Sequence, residues 1–225
     1  LCFNIDSDSL LGVLEPQPVA PKESPEELVR QALAAPVGAP PLPELIPKDA
    51  GVVVITSDIT RTTPSQLLLP PVLEQIEAAG VPSKNITIVF ALGIHRPHTP
   101  AEQQSLVGKA VFERYRCIDH DRMQTIDLGS TASGLPMHIF DEVAQADMRI
   151  CLGNIDPHYF AGYTGGAKAI MPGVSAAESI AHTHRLMFIP EAVAGKRDGN
   201  PARAMIDEVG QAVGIDFIMN VVLSP

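Results

Sequence analysis

Three residues that could perform acid–base chemistry and bind an anion each follow an apolar, strand-like run. They are Arg61, His95 and His158. In open α/β sheets ligands bind in the crevice beyond the carboxyl ends of the strands. Histidine gains or loses a proton near neutral pH, and arginine can pair with a carboxylate through two hydrogen bonds. The pattern therefore predicts one shared site, although each residue taken alone fits a surface or packing role better.

A glycine-rich turn ends in a lysine later in the chain, at Gly165-Gly166-Ala167-Lys168, with Thr164 before it. Bare backbone N–H groups in such a turn can converge on a phosphate. The turn is not a P-loop, because that motif has Gly just before the lysine and Ser or Thr just after it. Glycines alone are a weak signal, so an ordinary turn stays open as the alternative.

Two histidines, His182 and His184, stand two positions apart in a stretch that should be helical. Residues i and i+2 lie about 200° apart around a helix and do not face the same point. We therefore expect at most one of them to reach the crevice. A zinc site built from this pair is disfavoured.

Apolar runs and capping patterns predict the elements that must position these residues. The expected strands are at 52–55, 86–92, 124–128, 148–152 and 217–223. The expected helices are at 25–34, 64–79, 140–146, 174–186 and 200–212, with one more beginning at Thr99-Pro100. Alternation of strands and helices favours an α/β fold, a Rossmann-like parallel sheet with helices on both faces.

Three helix starts carry a Ser or Thr cap followed by proline, at Ser24, Thr63 and Thr99. Glu or Gln three positions after each cap completes the capping-box pattern. Pro70 and Pro71 fall inside the second of these helices. They should kink or restart it, because proline lacks the N–H of the helical ladder.

The net charge of the 225-residue chain is −10, which argues against nucleic acid and anionic membrane surfaces as partners. No apolar run approaches the roughly 20 residues of a membrane span, and we expect no signal peptide. The three cysteines form no paired framework. These features predict a cytoplasmic protein.

We expect one domain, formed by residues 51–225, with the proline-rich residues 1–50 as a wrapping segment of the same domain. The chain begins with Leu rather than Met, and the strand at 217–223 lies two residues from the last one. We therefore expect a chain truncated before a second, C-terminal domain.

Several segments together resemble the nickel-pincer-nucleotide lactate racemase family. They are SDITR at 57–61, ALGIHRPHT at 91–99 and DPHYFAGYTGGAKAIMPG at 156–173, followed by His182 and His184. Their order and spacing are those of the family, and the last long segment is the most specific. The resemblance implies an isomerase, a racemase or epimerase of 2-hydroxy acids such as lactate.

The resemblance also implies a cofactor and the residues that serve it. The cofactor is nickel held by a pyridinium-3,5-bisthiocarboxylate mononucleotide, attached covalently to Lys168 and made by separate cofactor-biosynthesis enzymes. His184 is the implied nickel ligand, with His182 as the less favoured choice. His95 and His158 are the implied acid and base, and Arg61 is implied to hold the substrate.

Further candidates lie on the cofactor-binding side of the same segments. Asp58 could orient a histidine or contact the phosphoribosyl group, and Thr164 could donate to the phosphate. Gly165 and Gly166 would let the backbone approach that phosphate. Arg96 could join the substrate-binding arginine in offsetting the negative charge of the chain.

Elementary chemistry is compatible with these roles. The C2 hydrogen of a 2-hydroxy acid is barely acidic, so racemisation by proton abstraction is hard. Hydride removal instead gives a planar 2-keto acid that can take hydride back on either face, while a base takes the hydroxyl proton. Two histidines supply that base in two placements, and histidine nitrogen suits nickel. Without a second domain the chain should turn over weakly or not at all.

Two other functions stay open. A zinc-dependent hydrolase could gather His95, His158 and His184 around the metal, but it has no use for Lys168. A non-catalytic nucleotide-binding domain could keep the fold without the chemistry. His95, His158, Lys168 and His184 are all present, which argues against a domain that has lost its catalytic site.

Overall fold

The computed structural model describes residues 4–13 and 21–223; residues 1–3 and 14–20 of the predicted wrapping segment lie outside the described part. The helices are α1 (Pro25–Ala34), α2 (Leu42–Leu45), α3 (Ser65–Ala78), α4 (Pro100–Val107), α5 (Lys109–Arg114), α6 (Asp141–Ala144), α7 (Ala177–His184) and α8 (Pro201–Val213). The strands are β1 (Val52–Ser57), β2 (Ile86–Ala91), β3 (Arg116–Asp119), β4 (Thr125–Ser130), β5 (Pro136–Phe140), β6 (Met148–Asn154), β7 (Pro157–His158), β8 (Gly162–Tyr163) and β9 (Phe217–Val221). Among the described helices, none has the length and apolar character needed to cross a membrane.

Five strands form one parallel sheet in the order β3-β2-β1-β6-β9. β1 lies in the middle, where Val54 pairs with Ile88 on one side and with Ile150 on the other. The predicted α/β parallel sheet is therefore confirmed. The chain moves outward from β1 through β2 and β3, then returns to β6 on the opposite side. Such a reversal of strand order opens a crevice between the loops after β1 and β6.

Both faces of the sheet are covered, which explains the all-apolar sequence of β1. Val52 and Val54 pack in one buried cluster with residues of α1 to α5. Val53 and Ile55 point to the opposite face and pack in a second cluster with residues of α6 and α8. Parallel strands buried on both faces have this continuous apolar character. The prediction of helices on both faces is confirmed.

The described part of the N-terminal segment joins the same core. Val29 and Leu33 of α1 and Leu42 of α2 are buried in the cluster that also contains Val52 and Val54. Full burial of each such side chain is worth roughly 1.5–3 kcal/mol. Apolar burial therefore holds this proline-rich segment on the sheet.

Most predicted elements are present within a few residues, and α1 has the predicted bounds. The capping box at the start of α4 is confirmed. The Thr99 hydroxyl accepts from the Glu102 N–H (3.3 Å), and the Glu102 carboxylate accepts from the Thr99 N–H (2.8 Å). The Ser24 hydroxyl likewise caps α1 by accepting from the Glu27 N–H (3.2 Å).

The third strand of the sheet was predicted in the wrong place. It is β3, a short edge strand that the sequence analysis missed, because its four residues contain only Cys117 and Ile118 as apolar side chains. The run predicted as that strand forms β4, which pairs antiparallel with β5 in a separate two-stranded sheet. The alternation of Ile126 and Leu128 with polar residues is typical of such a half-exposed hairpin.

The predicted start of α3 is also wrong. Thr63 does not cap it; its hydroxyl lies 2.8 Å from Asn154 Oδ1, and the helix begins at Ser65. α3 then runs as one helix through Pro70 and Pro71 instead of restarting there. Its buried apolar face packs on the sheet, and tertiary packing supplies most of the stability of a protein helix.

Asn200 ties α8 to the loop in front of it and is fully buried. Its Oδ1 accepts from the N–H groups of Ala202 (3.0 Å) and Arg203 (3.1 Å). Its Nδ2 donates to the carbonyls of Phe160 (2.9 Å) and Lys196 (3.1 Å). One side chain therefore satisfies both a helix start and two buried carbonyls.

We expect Asn200→Ala to lower the free energy of unfolding by about 2–4 kcal/mol, since buried donors and acceptors would be left unpaired. Ser24→Ala is the matched control, because it removes a single exposed cap bond and should cost about 1 kcal/mol or less. Urea denaturation of both variants measures the difference. Equal losses would contradict the role assigned to Asn200.

Candidate active site

A cavity of about 670 Å³ lies at the carboxyl edge of the sheet, between the loops that follow β1, β2 and β6. It occupies the place where the strand order reverses. All of the residues predicted from the sequence to form the site contribute to its wall: Asp58, Arg61, His95, His158, Thr164, Gly165, Gly166, Lys168 and His184. The structure therefore brings together groups that are more than 120 residues apart in the chain.

Two further candidates are not part of the cavity wall. His182 lies two residues before His184 on α7 but does not line the cavity, so only one of the pair reaches it, in agreement with the helical spacing. Arg96 is exposed and forms a bidentate pair with Glu102, at 2.7 and 2.9 Å. The expectation that Arg96 helps to offset charge at the site is therefore wrong, because its guanidinium is already neutralised elsewhere.

Asp58 orients His95 across the cavity. Its carboxylate is buried, and Oδ2 pairs with His95 Nδ1 in a short hydrogen bond. Oδ1 accepts from the hydroxyl (2.7 Å) and the N–H (3.2 Å) of Thr60. The Asp58 carboxylate thus has partners at both oxygens, which fixes the direction in which the imidazole points.

A second histidine–aspartate pair holds the loop that carries Asp58. The His98 ring is buried, and its Nδ1 lies 2.6 Å from Asp119 Oδ1. Its Nε2 accepts from the Ile59 N–H at 3.1 Å, next to Asp58 in the chain. The sequence analysis missed this pair because Asp119 ends β3, the strand that it failed to place.

His158 sits in the short hairpin formed by β7 and β8, where it is half-buried. Its Nδ1 accepts from the Ala161 N–H at 3.2 Å. Burial, together with charge repulsion from Lys168, Arg61 and His184, lowers the pKa of His158 to about 4. The imidazole is therefore neutral near pH 7.

Lys168 lies in a 3₁₀ turn, Gly166–Ala169, at the end of the glycine-rich segment. Burial lowers the pKa of its amine to about 7, and the neighbouring charges of Arg61 and Arg203 act in the same direction. A large fraction of the amine is therefore neutral and nucleophilic at physiological pH.

The glycines before Lys168 are required by local packing as well as by the turn. Gly165 and Gly166 have φ of 80° and 58°, in the left-handed region. A Cβ added to Gly165 would lie 3.1 Å from Oδ1 of Asn220 on β9. Arg203, paired with Asp207, lies below the turn and donates to the Gly165 carbonyl at 3.4 Å. The sequence analysis missed Asn220 and Arg203, which support the turn from distant elements.

The Thr164 hydroxyl braces this turn against the end of β6. It donates its one hydrogen to the Asn154 carbonyl (2.7 Å) and accepts from the Asp156 N–H (2.8 Å). To donate to a phosphate, as predicted, the Thr164 hydroxyl would have to give up its hydrogen bond to the Asn154 carbonyl.

His184 has the geometry of a potential metal ligand. Its Nδ1 lies 2.8 Å from the Ile180 carbonyl. A carbonyl only accepts, so Nδ1 carries the hydrogen and Nε2 of the neutral ring keeps its lone pair. Metal-bound histidines commonly have the other ring nitrogen fixed in this way. Within the described residues, no group of three or more His, Cys, Asp or Glu side chains could hold a metal ion by itself.

Comparison with known proteins identifies relatives of one kind. Residues 1–195 match a family model described as the lactate racemase N-terminal domain. A lactate racemase of Thermoanaerobacterium thermosaccharolyticum is 32% identical over 230 residues, covering 99% of this chain and 54% of that protein. A lactate racemase of Lactiplantibacillus plantarum is 31% identical over 226 residues, covering 97% of this chain and 53% of that protein. The chain thus spans about half the length of these curated relatives.

Solved structures show the same relationship. The lactate racemase apoprotein from T. thermosaccharolyticum superposes with a TM-score of 0.87 at 31% identity, over 100% of this chain and 54% of that one. A protein from Thermotoga maritima superposes with a TM-score of 0.70 at 20% identity, over 89% of this chain and 49% of that one. The second likeness concerns the fold alone.

We expect Lys168 to react with an amine-specific acylating reagent at neutral pH, with a reactivity midpoint near the lowered pKa of about 7. Arg61→Gln should raise that midpoint, because one of the positive charges that disfavour the ammonium form is removed. Peptide mass spectrometry after timed acylation over a pH series measures both values. The exposed Lys109 serves as the internal reference for reagent activity. A midpoint near the ordinary lysine value of 10.5 would contradict the assigned environment.

Proposed function

We propose that this chain, which belongs to the lactate racemase N-terminal domain family, forms the cofactor-binding catalytic part of an isomerase of lactate or a related 2-hydroxy acid. The observation that carries the proposal is the convergence of three imidazoles, one guanidinium and one amine of lowered pKa on a single cavity. We place the catalytic unit in residues 51–225, and the described residues 21–50 pack on its core.

We assign the substrate carboxylate to Arg61. Its side chain is exposed at the cavity wall, and its N–H donates to the Asp58 carbonyl at 3.1 Å, which fixes the loop from which it extends. None of the ion pairs among the described residues uses Arg61. A free guanidinium at this place can take a carboxylate through two parallel hydrogen bonds.

We further propose that the cavity holds the nickel-pincer nucleotide, because its wall offers the groups that such a cofactor needs. The partly neutral amine of Lys168 can form the covalent link, and His184 offers Nε2 to nickel. Gly165 and Gly166 have no side chains, so the backbone of the turn beside that amine is uncovered by side chains of its own. When bound, the group supplies a hydride acceptor for the hydrogen on C2 of the substrate.

The substrate hydroxyl proton is handled by the chain's own side chains. His95 can take that proton, and the Asp58 carboxylate stabilises the imidazolium that results. His158 lies on a different loop, after β6, and is neutral near pH 7 because of its lowered pKa. Two imidazoles on two loops give the acid–base groups two placements, as two enantiomers require.

The alternative functions are less well supported. A zinc-dependent hydrolase needs three protein ligands at the metal, and the described residues contain no such group. A nickel site completed by the cofactor's own donors needs only His184 from the chain. A non-catalytic nucleotide-binding domain gives no reason for a buried amine with a pKa of about 7 beside two imidazoles.

The proposed cofactor also requires partners that make it and supply it to the chain. We propose cofactor-biosynthesis enzymes as those partners, acting on the chain in the cytoplasm. A small-molecule 2-hydroxy acid is the proposed substrate.

We expect His184→Ala to lower nickel binding by roughly tenfold or more, after co-production of the chain with cofactor-making enzymes and nickel. His182→Ala is the matched control, because His182 is on the same helix but outside the cavity wall. Metal analysis by mass spectrometry, normalised to protein, measures the difference. Equal nickel in both variants, or zinc in place of nickel, would overturn the assignment.

We expect this chain alone to convert L-lactate into D-lactate weakly or not at all. When it is joined to the half of a lactate racemase relative that it does not cover, and loaded in the same way, it should convert L-lactate, and His95→Asn should slow that conversion by about 10²–10⁴-fold. The loss arises because the variant lacks the ring nitrogen that takes the hydroxyl proton. Chiral chromatography of lactate follows the reaction, and Lys109→Gln on the exposed surface serves as the control. An unchanged rate in His95→Asn would contradict the role proposed for this residue.

A further inference from the structure

We infer that His95 and His158, two of the three histidines in the cavity wall, rest in opposite tautomers: His95 has a bare Nε2, and His158 has its proton on Nε2. Asp58 is then a positioning residue that sets the tautomer of His95. The catalytic meaning of this inference rests on the proposed function, but the tautomers themselves are a property of the chain. They follow from what each Nδ1 contacts.

The surroundings of His95 leave only one place for the proton of a neutral ring. Nδ1 contacts Asp58 Oδ2, and a carboxylate that already accepts two bonds from Thr60 at its other oxygen can only accept. The Thr60 hydroxyl gives its hydrogen to Asp58, so at 3.4 Å from Nδ1 it too can only accept. Nδ1 therefore carries the hydrogen, and Nε2 keeps its lone pair.

The surroundings of His158 require the reverse arrangement. Its Nδ1 accepts the Ala161 N–H, and a backbone N–H can only donate. A hydrogen on Nδ1 would therefore point at another hydrogen. In the neutral ring the proton must be on Nε2. The lowered pKa of His158, caused by burial and by the charges of Lys168, Arg61 and His184, agrees with a neutral ring.

The two rings therefore differ in whether their Nε2 atom first accepts or first donates a hydrogen bond. His95 can accept a proton at Nε2 without losing any hydrogen bond described above. His158 presents an N–H to the cavity, so it begins as a hydrogen-bond donor. It becomes an acceptor at Nε2 only when its proton moves to Nδ1, which breaks the contact with Ala161. At rest, the site therefore holds one hydrogen-bond acceptor, Nε2 of His95, and one hydrogen-bond donor, the Nε2–H of His158.

The contacts of Asp58 predict how a single substitution would change this state. In Asp58→Asn, the two donors of Thr60 require the amide oxygen at the Oδ1 position. The amide NH₂ then faces His95 Nδ1, which must accept, so the ring proton moves to Nε2. The variant would remove the bare nitrogen while keeping the shape of the side chain. The contact between Ala161 and His158 is unaffected.

The test is a ¹⁵N–¹H correlation spectrum of the histidine side chains, recorded on the ¹⁵N-labelled chain at mildly alkaline pH. Bare and protonated ring nitrogens have well-separated ¹⁵N shifts, and His95→Gln and His158→Gln assign the two spin systems. We expect a protonated Nδ1 for His95 and a protonated Nε2 for His158. In Asp58→Asn the His95 shifts should exchange, whereas those of His158 should stay.

Thr60→Val is the matched control, because it removes a hydroxyl beside the pair and leaves the Asp58 carboxylate as acceptor. Its His95 shifts should match those of the unmodified chain. The same tautomer at both histidines of the unmodified chain would overturn the inference, as would unchanged His95 shifts in a folded Asp58→Asn. Failure to racemise lactate by the loaded chain joined to the half of a lactate racemase that it does not cover would instead overturn the proposed function and leave the tautomers as measured.

Discussion

β1 and β6 are neighbours in the sheet, yet the chain leaves their carboxyl ends toward opposite sides, and the whole site depends on that divergence. The loop after β1 carries Asp58 and Arg61, and the loop after β6 carries His158. The two loops leave a cavity between them, and residues of both line it. The parallel pairing of Val54 with Ile88 and Ile150 fixes how far apart the loops begin.

The crevice collects positive charge in a chain whose net charge is −10. Burial and the charges of Arg61 and Arg203 lower the pKa of Lys168, and burial and the charges of Lys168 and Arg61 lower that of His158. Crowded cations in a partly buried place favour the neutral form of the groups that can lose a proton. The same crowding attracts an anion, and the proposed phosphate-bearing cofactor and carboxylate substrate would each supply one.

The sequence was informative wherever a strand end is followed directly by polar residues. Arg61, His95 and His158 could be placed at one edge because each follows a clearly apolar run, and helical spacing separated His184 from His182. The sequence was uninformative where side chains from distant elements hold the site segments in place. Asn220 and Arg203 meet the glycine-rich turn from β9 and α8, and Asp119 reaches His98 from β3, an edge strand too short and polar to predict. Such contacts depend on tertiary packing, and no local pattern encodes them.

We propose that a nickel-bearing nucleotide is attached to this cavity at Lys168. The decisive measurement is peptide mass spectrometry across residues 162–185, on chain produced together with the cofactor-making enzymes and nickel. We expect a mass addition that is localised to Lys168 and absent from Lys168→Arg. An unmodified Lys168, in a preparation where a known lactate racemase was loaded in parallel, would contradict this attachment.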